Sequence, residues 1–315
     1  MTSSELNLRL AAYIAVRQSL GYGMRAEQTL LADLVRFLGE RGELNPIRGQ
    51  AVFDWATKST EHRGVGGFAA RLTMARRVLL HLRASYPDTE IPAHGLLSAA
   101  RRRTPYLFTD ADIERLLEAA EQTGPRISLR PHTLTTLLGL LANTGMRVGE
   151  TVRLTINDVQ LEVLPPRLLV RETKFKKSRW VPLHSTTANK LASYSAKRRE
   201  LAYDGLSDTF FVSEQGTALR VSSLDRWFGR LVLRLGLWPE SEKRWPCLTS
   251  FRHTFAIRRL RTWYEDGADL ATLLPHLSVY LGHVSPEETY WYLTATPELL
   301  TAAARRFGQY VGGMQ

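Results

Sequence analysis

Leu281-Gly282-His283-Val284-Ser285-Pro286-Glu287-Glu288-Thr289-Tyr290-Trp291-Tyr292 is the stretch on which the reading of this chain turns. Ser285-Pro286-Glu287-Glu288 is a strong helix start: an N-cap hydroxyl, proline at the first helical position, then acids in the first turn. His283 therefore lies just before the helix, and Tyr292 about two turns inside it. On one continuous helix nine residues make two and a half turns, so the two side chains would point to opposite faces. The break at Pro286 lets both face one site. Taken singly, the histidine also fits a structural role and the tyrosine a core or interface role.

Three further segments lie upstream. In Leu248-Thr249-Ser250-Phe251-Arg252-His253-Thr254-Phe255-Ala256, Thr249 or Ser250 makes a good N-cap, which puts Arg252 in the first helical turn. Free backbone N–H groups and the helix dipole already favour an anion there, and an arginine adds a phosphate clamp. From Arg167 to Arg179 there are six basic residues and one acid on a predicted hairpin. Its lysines can reach a phosphate or a groove; they can equally protect a sheet edge from pairing. In Thr144-Gly145-Met146-Arg147-Val148-Gly149-Glu150, Gly145 can stop one helix in the left-handed conformation and a new helix then carries Arg147 in its first turn. Arg147 and Glu150, three apart, share a face and can pair, as an oriented site arginine or as a plain surface ion pair. His253 and His283 are far apart in sequence, with no carboxylate set to complete a metal site.

Around these segments the chain reads as mostly helical. Its 315 residues suggest two domains. Leu30, Leu31, Leu34, Val35 and Leu38 recur at helical spacing, as do Phe68, Leu72, Ala75, Leu79 and Leu82, with Arg71, Arg76, Arg77 and Arg83 among the second set. Pro87, Pro92 and Gly95 break the pattern, and Arg101-Arg102-Arg103-Thr104-Pro105 follows; residues 88–104 read as a linker. Thr109 is the expected N-cap of the next helix. Residues 157–183 differ: Val159, Leu161 and Val163 alternate, Leu168–Val170 and Trp180–Leu183 are short apolar runs, and Pro165-Pro166 and the lysine-rich 173–178 stretch supply turns. That is a three-stranded meander. The fold class is therefore mainly α with a small antiparallel sheet (α+β), in two domains divided as 1–87, 88–104 and 105–315.

Composition limits the function. The formal net charge of +11 favours a polyanion such as nucleic acid, although a basic enzyme without such a partner also fits. One cysteine, Cys247, excludes an intramolecular disulfide and a cysteine zinc site. No run of about 18 apolar residues exists, and the N-terminus lacks a signal-peptide pattern, so a cytoplasmic setting without a membrane is expected.

The order of the four segments resembles the tyrosine recombinase (phage integrase) family: Arg with Glu, a lysine hairpin, Arg-His-Thr-Phe-Ala, then Leu-Gly-His with Tyr nine residues on. The resemblance covers residues 105–300, and the helical N-terminal part looks like that family's core-site DNA-binding domain. It implies that Tyr292 attacks a DNA phosphodiester to give a 3′-phosphotyrosyl intermediate and a free 5′-hydroxyl. Arg147 and Arg252 match the arginines that hold the phosphate oxygens, and His283 a hydrogen-bond donor to them. Lys174 matches the hairpin lysine that protonates the leaving oxygen, with Lys176 and Lys177 as alternatives. Glu150 matches the supporting acid. Arg71, Arg76, Arg77, Arg101, Arg102, Arg103, Lys176, Lys177 and Arg179 are the DNA-contact candidates. The covalent intermediate stores the bond energy, so no metal, ATP or other cofactor is implied. The implied partners are double-stranded DNA with inverted-repeat core sites and three further copies in a homotetramer, with partner recombinases as an option. An amphipathic segment from Thr296 to Val311 would dock between protomers, and Tyr13–Gly23 looks similar to recombinases of mobile elements.

One position departs from the family's pattern. Where the family usually has His three residues before the second arginine, this chain has Thr249, whose hydroxyl can donate one hydrogen bond but is no base near neutral pH. That leaves three readings: an active recombinase, an impaired accessory DNA-binding subunit, or a type IB topoisomerase-like nicking and closing enzyme.

Overall fold

The structure is a computed structural model that describes residues 2–58, 65–97, 104–125, 128–171, 177–201, 207–238 and 245–294. The chain divides into two compact units, Met1–Arg102 and Arg103–Gln315. Lys174, Lys176, Arg101, Arg102, Arg103 and the segment from Thr296 to Val311 lie outside the described residues.

The first unit contains α1 (Ser3–Ser19), α2 (Arg25–Glu40), α3 (Gly49–Thr57) and α4 (Val65–Arg83). Thr2 caps α1 by accepting the Glu5 N–H at 3.2 Å. The two leucine-rich stripes are its core: Leu31, Leu34, Val35 and Leu38 of α2 bury against Trp55 of α3 and Leu72, Ala75, Leu79 and Leu82 of α4. The DNA-contact assignment of Arg71 and Arg76 requires correction, because both are buried. Arg71 falls on the same face of α4 as Ala75, Val78 and Leu82, so helical periodicity carries it inward. Its guanidinium donates to Asp33 at 3.0 Å and stands 4.2 Å from the centre of the Trp55 ring, and Trp55 Nε1 donates to the same carboxylate oxygen at 3.0 Å. Arg77 alone of the three is exposed. The start of the expected linker also belongs to this unit. Thr89 is buried, the Glu90 N–H donates to the Ile47 carbonyl at 3.0 Å, and the Glu90 carboxylate accepts the Gly49 N–H at 2.7 Å. Backbone groups that leave water need such partners, and here Ile47, just ahead of α3, supplies one for Glu90 while Glu90 in turn receives the first N–H of α3.

In the second unit α5 (Asp110–Glu121) begins at Thr109 in a reciprocal capping box with Asp112. The central helix is α6 (Leu129–Thr144), whose Leu134, Leu137, Leu138, Leu140 and Leu141 are all buried. It is followed by the short α7 (Val148–Thr151) and then by the meander of β1 (Val159–Gln160), β2 (Arg167–Val170) and β3 (Arg179–Pro182). The strands are antiparallel in the order β1-β2-β3, with Leu168 opposite Val159 on one side and Val181 on the other. The remaining helices are α8 (Ser185–Glu200), α9 (Val221–Leu235), α10 (Leu248–Glu265), α11 (Leu270–Leu281) and α12 (Glu287–Thr294). One core surrounds α6, and a smaller one joins α10, α11 and α12 through Ile257, Leu260, Leu277, Leu281 and Tyr292. Among the described residues no helix is long and apolar enough to cross a membrane.

The Asp33 carboxylate offsets the buried Arg71 charge. Asp33→Ala is therefore expected to destabilise the first unit by about 2–3 kcal/mol, the scale for losing a charge-assisted bond and leaving a buried charge less compensated. Urea unfolding measures this; an unchanged midpoint would mean that the Arg71 pair contributes nothing.

Candidate active site

Two left-handed glycines set the backbone of the site. Gly145 ends α6 at φ +61°, and a Cβ there would stand 2.6 Å from Phe255 of α10. Gly282 ends α11 at φ +67°, and a Cβ there would stand 2.6 Å from the Arg179 guanidinium. Each position needs glycine both for its conformation and for the close approach of a second element.

Arg147 is the N-cap of α7 rather than a residue of its first turn. Its N–H donates to Glu150 Oε2 at 3.3 Å and its Nη1 to Oε1 at 2.9 Å. Glu150 is only 4% exposed while Arg147 is half-buried, so this pair is anchored in the interior at its carboxylate and is not a plain surface one. Arg179 from β3 completes it, donating Nη2 to Glu150 at 2.7 Å and Nε to the Tyr280 carbonyl at 2.8 Å. Its assignment as a DNA contact is thereby corrected: the side chain is turned inward to neutralise Glu150 and hold the end of α11. Lys177 is exposed.

Helix α10 starts at Leu248, with Cys247 in the N-cap position and its N–H received by Ser250 Oγ at 3.1 Å. The start is earlier than expected because Ser250 reaches back as the N3 partner. Arg252 thus lies in the second turn and acts through its side chain, not through a free backbone N–H. Its guanidinium donates to the Gly145 carbonyl at 3.0 Å and to the Leu281 carbonyl at 2.8 Å. Arg147 reaches the same Leu281 oxygen at 3.4 Å. The two arginines, 105 residues apart, therefore meet at one point. Thr249 is exposed on the first turn.

His283 follows Gly282, its N–H bonded to the Ser278 carbonyl at 2.9 Å and its Nδ1 paired with Thr289 Oγ1 at 2.6 Å. Its ring stacks on Tyr292 with centroids 6.1 Å apart. The break before α12 does bring both groups to one place. Tyr292 is 3% exposed, whereas Tyr290 points out at 46%. The Tyr292 hydroxyl lies 3.2 Å from His253 Nδ1.

The electrostatics follow from this packing. Burial pushes the Glu150 carboxyl up, but the hydrogen bond and charge of Arg179, then those of Arg147, outweigh it and hold the group below its ordinary value. Burial, then the Arg147 charge, brings Arg252 down to about 10, so it stays cationic at neutral pH. Burial, then Arg252, Arg147 and Arg179, push His283 down to about 3, leaving a neutral imidazole. Burial raises the Tyr292 phenol against the pull of Arg252. Three guanidiniums thus face one carboxylate, and the surplus positive charge suits an anion.

The model of the Phage integrase family matches residues 107–298. The chain belongs to this family. The protein y4rB of Sinorhizobium fredii, provisionally named an integrase/recombinase, is 38% identical over 299 residues, covering 93% of this chain and 94% of that one. Tyrosine recombinase XerD of Halalkalibacterium halodurans is 30% identical over 218 residues, 68% of this chain and 66% of that protein. Among solved structures, the XerH site-specific recombinase in a post-cleavage complex with palindromic difH has a TM-score of 0.67 at 19% identity, covering 90% of this chain and 79% of its own. The Tn1549 transposon integrase with circular intermediate DNA also has a TM-score of 0.67, at 18% identity over 97% and 99% of the two chains. These likenesses show a shared tyrosine recombinase fold, and membership places the chain among site-specific recombinases.

The sequence points Arg179 to DNA rather than to Glu150, offers His253, which family members commonly carry, as no obvious replacement for Thr249, and does not single out Thr289. Arg179 carried no signal beyond a basic run. His253 carried one, since it falls four residues after Thr249 and hence on the same helical face.

The His283 environment makes stability depend on pH. The folded chain holds the His283 proton more weakly, at about 3 against 6.5 unfolded. Its contribution is full above pH 6.5 and is lost as pH falls from there toward 3. His283→Gln should therefore lose less of its neutral-pH stability at pH 4.5 than wild type does, as read from urea midpoints at the two pH values. An equal loss in both proteins would contradict the assignment.

Proposed function

We propose that the chain is a site-specific DNA recombinase that cuts and rejoins DNA through a 3′-phosphotyrosyl intermediate on Tyr292. The observation that carries this reading is the meeting of the Arg147 and Arg252 guanidiniums at the Leu281 carbonyl, beside the His283–Tyr292 stack. A phosphodiester presents two anionic oxygens, and its transition state gathers more charge. Cationic donors already fixed in place act most strongly at that point, on the order of 10²–10³ in rate for each. Arg147 and Arg252 would hold the non-bridging oxygens, and neutral His283 would donate one further hydrogen bond. Glu150 and Arg179 would keep Arg147 oriented. Lys174 would protonate the leaving 5′-oxygen, the role that its match to the family's lysine implies. Tyrosine is mostly protonated at neutral pH, and burial raises Tyr292 further, so its proton must leave as the bond to phosphorus forms.

The partner is double-stranded DNA, met by the +11 charge through backbone phosphates. XerH with difH and the Tn1549 integrase with circular intermediate DNA support this choice of partner. Strand exchange would take place within a homotetramer on paired inverted core sites.

A suicide substrate nicked near the cleavage point tests the reading. Wild type should form a covalent DNA complex and Tyr292→Phe none, while Arg147→Ala and Arg252→Ala should lose cleavage yet keep most DNA binding. No covalent complex with wild type would point instead to an accessory DNA-binding subunit. Supercoil relaxation without recombinant product from two sites would point to a topoisomerase. Binding should also weaken steeply between about 50 and 200 mM salt as counterions are released; a flat response would mean that the basic excess is no DNA surface.

A further inference from the structure

We propose that His253 is the general base that takes the proton from Tyr292, occupying the role that Thr249 cannot fill. This rests on the phosphotyrosyl reading above. Three observations carry it. The Tyr292 hydroxyl and His253 Nδ1 are 3.2 Å apart, within reach for direct proton transfer. The two rings also meet edge to face, with centroids 5.6 Å apart, and His253 packs in the same way on Trp291. Position 253 is one turn beyond 249 on α10, so a base there serves the same face of the helix from one turn higher.

The proton balance is simple. With its own proton on Nε2, neutral His253 offers Nδ1 as acceptor. As the Tyr292 Oη–P bond forms and the P–O5′ bond breaks, the phenol proton passes to His253 Nδ1, and the general acid protonates the 5′-oxygen. When a 5′-hydroxyl attacks the phosphotyrosine, its proton returns to the deprotonated general acid as the O5′–P bond forms, and His253 gives its proton to the departing tyrosine oxygen as the Oη–P bond breaks. No outside oxidant, reductant or cofactor is needed.

The charged and titratable groups of the surrounding site are Arg252 on the same helix, Arg147 and Glu150 from α7, Arg179 from β3, His283 ahead of α12, and Tyr292 and Glu288 on α12. Burial and these arginines already hold His283 neutral down to about pH 3. His283 therefore does not supply an acid limb to the rate of cleavage between pH 5 and 8, so an acid limb seen there reports another base.

The test is single-turnover cleavage of the nicked suicide substrate at several pH values, with thermal unfolding and DNA binding of each variant measured alongside. His253→Gln keeps hydrogen-bonding groups but cannot take a proton. It should cleave about 10²-fold more slowly or worse, the general-base scale, with the acid limb gone and DNA binding retained. His253→Ala should recover cleavage with added imidazole, increasingly as pH rises. That rescue is read within one preparation, so it remains decisive even if the variant unfolds more easily. Wild-type rate in His253→Gln, or a slow variant that keeps the acid limb while His253→Ala shows no rescue, would overturn the assignment and leave the phosphotyrosyl reading intact. A wild type that forms no Tyr292-dependent covalent complex would overturn that reading, and the role of His253 with it.

Discussion

The Glu150 carboxylate, almost wholly withdrawn from water, lies between the Arg147 and Arg179 guanidiniums, and the placement of the other groups in the site follows from that arrangement. A buried carboxylate is costly unless its oxygens are taken up by donors, and here two arginines from separate elements do so. Arg179 extends the link by holding the Tyr280 carbonyl, which ties the end of α11 to β3. Gly282 lets that guanidinium approach, and His283 follows directly. One charge pair thus joins α7, the sheet and the loop that carries the histidine.

The arrangement leaves an imbalance that matches its proposed use. One carboxylate offsets only part of three guanidiniums, and both Arg147 and Arg252 rest on a neutral carbonyl oxygen, that of Leu281. A backbone carbonyl is a weak partner for two cations, so an anionic oxygen brought to that point gains more from them than the carbonyl does. The same field keeps His283 neutral and pulls against the burial that raises Tyr292. The site therefore holds its cations ready while burial keeps its tyrosine protonated, so that the phenol must give up its proton as it reacts.

Much of this was legible in local signals. The capping box at Thr109, the stop at Gly145, the break before α12 and the antiparallel meander all depend on residues within a few positions of one another. Other features were not legible, for identifiable reasons. Arg71 and Arg76 look like a solvated face in sequence, and Asp33, the partner of Arg71, lies 38 residues away on another helix. Arg179 reads as one cation of a basic hairpin until Glu150 is seen beside it. The start of α10 moved because Ser250 caps Cys247.

The sequence by itself determined the helical class, the small sheet, the family, and the residue types available to the site, because periodicity, caps and motif spacing are properties of neighbouring positions. Tertiary structure alone decided which arginines face inward, that Glu150 serves two of them, and that His253 rather than Thr249 meets Tyr292. Those outcomes depend on distances between segments more than 25 residues apart, and only packing sets such distances: a cation is a surface group or a buried partner according to what another helix or strand places beside it.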